Sequence, residues 1–151
     1  MENTAKSATI TPILLTEQKV NSITFKDKEH EKFYNMYLPK CRMQDVYHKA
    51  LIYCLGISAD TRNNINQIFN VRTDCVNPDC LCEGWITSGS AKIVRLAFNL
   101  YCNSAVSVFH YDKADERLDE YKYYTVEDLF CCGYAPYFWE AVRLRYPEYC
   151  K

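Results

Sequence analysis

Apolar residues recur at spacings of one, three and four along several stretches of the chain, and these stretches set the expected elements. Over residues 44–55, Val46, Tyr47, Ala50, Leu51, Cys54 and Leu55 share a face at helical period, and Gly56 follows as a stop. A second strong pattern covers residues 90–101, where Ile93, Val94, Ala97, Phe98, Leu100 and Tyr101 are apolar. Asp27 is placed to cap a helix over 29–38 that Pro39 helps to end, with Phe33, Met36, Tyr37 and Leu38 as its buried side. Ser58 is placed to cap a helix over 59–69, with Ile65, Ile68 and Phe69 inward and the polar run 60–64 outward. Thr125-Val126-Glu127-Asp128 resembles a capping box, with Asp in place of Glu or Gln, ahead of Leu129 and Phe130; Gly133 breaks that helix. A last helix spans 135–146 and ends at Pro147.

Between these helices the pattern weakens. Residues 104–111 alternate loosely and predict a short strand, and the acidic stretch 112–120 predicts a solvated loop or a frayed helix. Residues 1–22 are polar apart from the patch Ile10 to Leu15 and predict a flexible tail. The expected fold is therefore all-α: a single compact domain over 23–151 of five or six short helices, with at most one short strand pair.

Composition narrows the function classes. At 151 residues the chain is long enough for one substantial core, and 48% apolar with 25% charged residues is a globular balance. Four Gly and five Pro leave little turn chemistry for a many-stranded sheet. The 18 basic residues against 19 acidic ones give a net charge of −1, which supplies no drive toward nucleic acid or anionic lipid. The start of the chain lacks the charged and apolar segments of a signal peptide, and Ile13-Leu14-Leu15 is too short to span a bilayer. Nine cysteines cannot all pair within one chain, so free thiols in a reducing cytoplasm are expected. Thirteen tyrosines, whose rings pack while their tips stay wet, suit either the rim of a small core or a partner surface.

Three constellations carry candidate chemistry. Cys75, Cys80 and Cys82 crowd three thiols around an Asn-Pro-Asp turn and make a candidate structural zinc site. A fourth ligand is to be drawn from Cys41, His48, Cys102 or His110, and free thiols on a connector are the competing reading. Thr87-Ser88-Gly89-Ser90 opens a helix, and Ser88, Lys92, Arg95 and Asn99 form a polar stripe along it. Thr87, Ser88, Ser90, Lys92, Arg95 and Asn99 are therefore candidate contacts for an anionic small ligand or nucleotide, against the alternative of a well-capped helix with a solvated face. At the C-terminal end Tyr137, Trp139, Arg143, Arg145, Tyr146 and Tyr149 combine the residue types that dominate binding hot spots, although Phe138, Trp139 and Val142 share a helical face and part of the cluster must be core. Arg143 and Arg145 diverge by about 160° on a helix, so at least one must reach solvent. Of the three histidines, His48 stands three residues after Asp45, whose carboxylate can orient its ring. No Gly-x-Ser-x-Gly or His-Glu-x-x-His pattern accompanies it, and no catalytic residue is assigned.

Residues 45–56, 87–101 and 124–130, with Tyr134-Ala135-Pro136-Tyr137-Phe138-Trp139, together resemble a small family catalogued as a domain of unknown function, encoded by gut Firmicutes and their phages and integrated elements. The resemblance covers roughly residues 27–150. It implies an accessory protein of mobile DNA, of a kind that often inhibits or adapts host machinery, counter-defence included. The leading expectation is a non-enzymatic binding protein acting on a host or phage protein. A small-ligand or nucleotide-binding protein using residues 87–99 is the alternative, and an unrecognised hydrolase is a third.

Overall fold

A computed structural model of the protein describes residues 22–108 and 120–150. The expected tail, apart from Ser22, and most of the acidic stretch 112–120 lie outside the described residues. Seven α-helices appear among them: α1 (Lys28–Tyr37), α2 (Val46–Leu55), α3 (Ala59–Asn63), α4 (Ile65–Ile68), α5 (Ser88–Cys102), α6 (Val126–Phe130) and α7 (Ala135–Arg145). Short 3-10 turns at Leu38–Lys40, Pro78–Cys82, Lys122–Tyr124 and Pro147–Tyr149 join or extend them. Two-residue strands β1 (Phe69–Asn70) and β2 (Cys75–Val76) form an antiparallel hairpin, Phe69 opposite Val76 and Asn70 opposite Cys75. The fold is all-α with one small strand pair.

Local chemistry sets most helix starts. Asp27, Asp45, Ser58, Thr87 and Thr125 each accept a backbone N–H three residues on, satisfying donors that the first turn leaves orphaned. At α5 the box is reciprocal: the Ser90 hydroxyl accepts from the Thr87 N–H while Thr87 Oγ1 accepts from the Ser90 N–H.

Helix α2 lies at the centre and packs against α5 and α7. Seven of its ten residues are buried, so it is apolar nearly all round rather than amphipathic. Tyr53, Phe69, Phe98 and Phe138 are its neighbours or members among the largest fully buried side chains.

Four expectations are corrected. The strand pair lies at 69–76; of the strand expected over 104–111, residues 105–108 have no regular structure and 109–111 lie outside the described residues. The single helix over 59–69 is broken at Asn64, whose backbone leaves the helical region. Thr61, read as part of an exposed polar run, is fully buried because its hydroxyl bonds to the Leu55 carbonyl at 2.7 Å. On α1, Tyr34 takes the buried place expected for Met36, which is 48% exposed.

Candidate functional site

The C-terminal candidates separate into core and surface. Arg145 is buried: its Nε donates to the Leu100 carbonyl at 2.9 Å and its Nη2 to Asn103 Oδ1 at 2.9 Å. Its guanidinium also lies 3.7 Å from the centroid of the Tyr47 ring and 4.5 Å from that of Tyr146. Arg145 therefore anchors α7 on the C-terminal end of α5, and its assignment to a partner surface is withdrawn. Arg143 is half-buried and donates to both Glu140 carboxylate oxygens, at 3.0 and 2.5 Å, and to the Ser22 carbonyl at 3.3 Å. Tyr137 and Tyr146 are half-buried and pack against the core.

Trp139 is different. It is 58% exposed although it packs against Phe130 at a tilt, with ring centroids 4.4 Å apart. Phe130 in turn meets buried Phe138 edge-on at 5.6 Å. Val126, one turn before Phe130 on α6, is 67% exposed. Val126, Phe130 and Trp139 thus make an open apolar strip across α6 and α7, backed by the core. Tyr149 is 81% exposed but stands past the other end of α7. Sequence reading found Trp139 and missed Val126 and Phe130, whose share in the strip depends on how α6 lies against α7.

The polar stripe on α5 is only partly a site. Ser88, Lys92 and Arg95 line a cleft of about 190 Å³ with Tyr123 and Asp128. Lys92 Nζ donates to the Asp128 carbonyl. Arg95 lies 4.4 Å from the Tyr123 ring centroid and pairs with Glu120 at 3.4 Å. The nearest use of both cations is to hold residues 120–128 against α5. Thr87 and Ser90 are occupied in the capping box, and Asn99 donates to the Ser104 carbonyl, away from the cleft.

The thiol connector does not converge. Cys80 is fully buried and burial pushes its thiol up to about 12, whereas Cys75 and Cys82 are exposed. Among the described residues no group of three or more His, Cys, Asp or Glu side chains is placed to hold a metal ion. The structural zinc reading of Cys75, Cys80 and Cys82 thus has no assembled ligand set, because the 3-10 turn over Pro78–Cys82 points Cys80 into the core.

One buried ionic cluster lies nearby. His48 is 3% exposed, and its Nδ1 meets Asp45 Oδ1 at 2.7 Å while Nε2 meets Asp74 Oδ1 at 2.7 Å. With both carboxylates ionised, both ring nitrogens must donate to make these bonds, which favours the imidazolium form. Burial opposes that charge, but the two carboxylates outweigh it and raise the His48 pKa above its usual value. Asp74 sits at the end of the hairpin turn with φ of 62°, a left-handed conformation that Asp tolerates. The Tyr101 hydroxyl donates to the Asp74 carbonyl at 3.0 Å. With both nitrogens engaged and the ring enclosed, the cluster works as a clamp between α2 and the hairpin. Sequence analysis found the Asp45–His48 half; Asp74 is 26 residues further on.

Among the described residues no helix is long and apolar enough to cross a membrane. The chain belongs to the family of unknown function DUF6075, whose model matches residues 20–151. No curated protein and no solved structure matches the chain.

Proposed function

We propose that the protein is a non-enzymatic binding protein that engages a partner protein through Val126, Phe130 and Trp139. The observation that carries this reading is Trp139, 58% exposed and held on Phe130 beside exposed Val126. A large aromatic ring fixed by a packed neighbour offers contact area at little entropic cost, which is the character of a binding hot spot. Phe138 of the same helix already fills the core, so the exposed part of Trp139 is left to meet a partner. Following the resemblance described above, the partner is a host or phage protein, and the role is that of an adaptor or inhibitor from a mobile element, counter-defence included.

The test compares wild type with a Val126→Ser, Trp139→Ala variant as bait in a gut Firmicute lysate. Both positions are exposed, so the variant should melt within a few degrees of wild type. A protein retained by wild type and lost by the folded variant is the expected outcome. Equal retention by both removes the strip from the interface and ends this reading.

A further inference from the structure

A second surface lies on α1 and α3 and shares no lining residue with the Trp139 strip. Glu29, Lys32, Phe33, Met36 and Tyr37 occupy one face of α1 at spacings of three and four. With Arg62 and Asn63 of α3 they line an open groove of about 340 Å³. That volume is in the range of real ligand sites. Phe33 and Tyr37 stack on each other, 4.5 Å between centroids, and form an apolar floor. Met36 projects beside them, 48% exposed, where an unbranched thioether can mould itself to an incoming apolar group.

The rim is cationic in a chain whose net charge is −1. Lys32 has no hydrogen bond or ion pair among the described residues. Lys40 extends over the Tyr37 ring, 4.5 Å from its centroid. Arg62 Nη1 donates to the Gly56 carbonyl at 2.7 Å, which fixes the guanidinium at the groove edge. Of the groove-lining residues two are cationic, Lys32 and Arg62, and one is acidic, Glu29; Lys40 lies outside the lining beside Tyr37, and Asp27 is within electrostatic reach of Arg62. The lining therefore carries one excess positive charge in a chain of net charge −1, which favours an acidic segment over a basic one.

We infer that the groove between α1 and α3 is a docking site for an acidic peptide segment of a partner protein, one apolar side chain seated on Met36 and flanking carboxylates on Lys32, Lys40 and Arg62. A peptide fits better than a nucleic acid. The ring faces that would stack on bases are taken, Phe33 and Tyr37 by each other and Tyr37 also by Lys40. The groove-lining stretch of α1, from Glu29 to Tyr37, is roughly 12 Å long at 1.5 Å per residue. It therefore accommodates about four residues of extended chain. This inference does not depend on the Trp139 strip.

The test is selection from a displayed random-peptide library on the intact protein, followed by binding of the selected peptides to variants. Enrichment of Asp and Glu around an apolar anchor is expected, with affinity that falls as salt is raised. Lys32→Glu and Met36→Asp, both at exposed positions, should each weaken those peptides by about tenfold or more, and Trp139→Ala should leave them unchanged. Selected peptides without acidic enrichment, or full affinity in folded Lys32→Glu and Met36→Asp, would overturn the assignment. So would loss of binding in Trp139→Ala, which would move the peptides to the other surface. Competition by single-stranded RNA with no acidic peptide enriched would replace the peptide with nucleic acid and equally end the proposal.

Discussion

The buried imidazolium of His48 makes stability depend on pH with a definite sign. Its folded-state pKa is raised above the 6.5 of a free histidine. The clamp's contribution is therefore fully present below about pH 6.5 and is lost as pH rises through the folded value. Each of its two bonds, at 2.7 Å, joins a cation to a carboxylate. Bonds of that kind contribute about 1.5–3 kcal/mol each. Asp45 and Asp74 are partly hydrated, with side-chain exposures of 31% and 26%, so their desolvation is incomplete and the lower end applies. Replacing His48 by Gln, which can keep at most one of the two bonds, should cost about 1.5–3 kcal/mol near pH 6. The groups facing the ring are the Asp45 and Asp74 carboxylates, the edges of Phe69 and Tyr101, and Cys41 close to both carboxylates. Burial, then those same carboxylates, pushes the Cys41 thiol up to about 11, so it stays neutral through this window. Thiols that ionise when the chain unfolds lower stability above about pH 8.5, in wild type and variant alike. The assay is urea unfolding of both proteins between pH 6 and 8, read as the difference between them, with ring-nitrogen NMR shifts on the wild type. The difference should shrink as pH rises, and both ring nitrogens should be protonated at pH 6. A difference independent of pH, or a neutral ring at pH 6, would refute the assignment.

His30 should show the opposite dependence. It is fully buried, burial depresses its pKa to about 4, and it is neutral, donating from Nε2 to the Tyr53 carbonyl at 2.7 Å and accepting the Lys26 N–H at Nδ1. Its contribution is present above 6.5 and is lost as pH falls toward 4, about 3 kcal/mol in all, visible as a falling urea midpoint that His30→Gln should flatten. Arg145→Ala should lower stability by about 3 kcal/mol in thermal or urea unfolding, since it orphans the Leu100 carbonyl and the Asn103 amide oxygen; a loss under 1 kcal/mol would return Arg145 to the surface.

Features that a residue shares with its near neighbours were legible. The caps at Asp27, Ser58 and Thr125 follow from a side-chain oxygen and an N–H three residues on, both inside the window that sequence exposes. The hairpin was not legible, because two-residue strands are too short to show alternation. Their position is pinned instead by the His48–Asp74 contact, across 26 residues. Arg145 shows the same limit. The divergence of Arg143 and Arg145 follows from helix geometry, but which one turns inward depends on acceptors at the C-terminal end of α5 and just past it, 45 and 42 residues away. The candidate surfaces divide likewise. Trp139 was visible as a residue type, whereas the strip needs Val126 and Phe130 from another helix.

The misplaced polar residues share one cause. A central helix buried nearly all round brings its C-terminal carbonyls into the core, where water cannot satisfy them. In α2, the Ile52 carbonyl accepts from Gly56 N and the Cys54 carbonyl from Ile57 N; the Tyr53 carbonyl shares the Gly56 N–H and also takes a bond from the His30 ring, and the Leu55 carbonyl takes one from the Thr61 hydroxyl. Just beyond, the Gly56 carbonyl accepts from Arg62. Gly56 is itself required there, because a Cβ would come within 2.6 Å of the His30 ring. Thus His30 and Thr61 are buried as the cap of a buried helix, which their own neighbours in sequence give no reason to suspect. Polar groups recruited to that cap are costly to replace, whereas Trp139, Val126, Lys32 and Met36 take no part in it. That separation is what makes the two proposed surfaces testable by substitution without unfolding the protein.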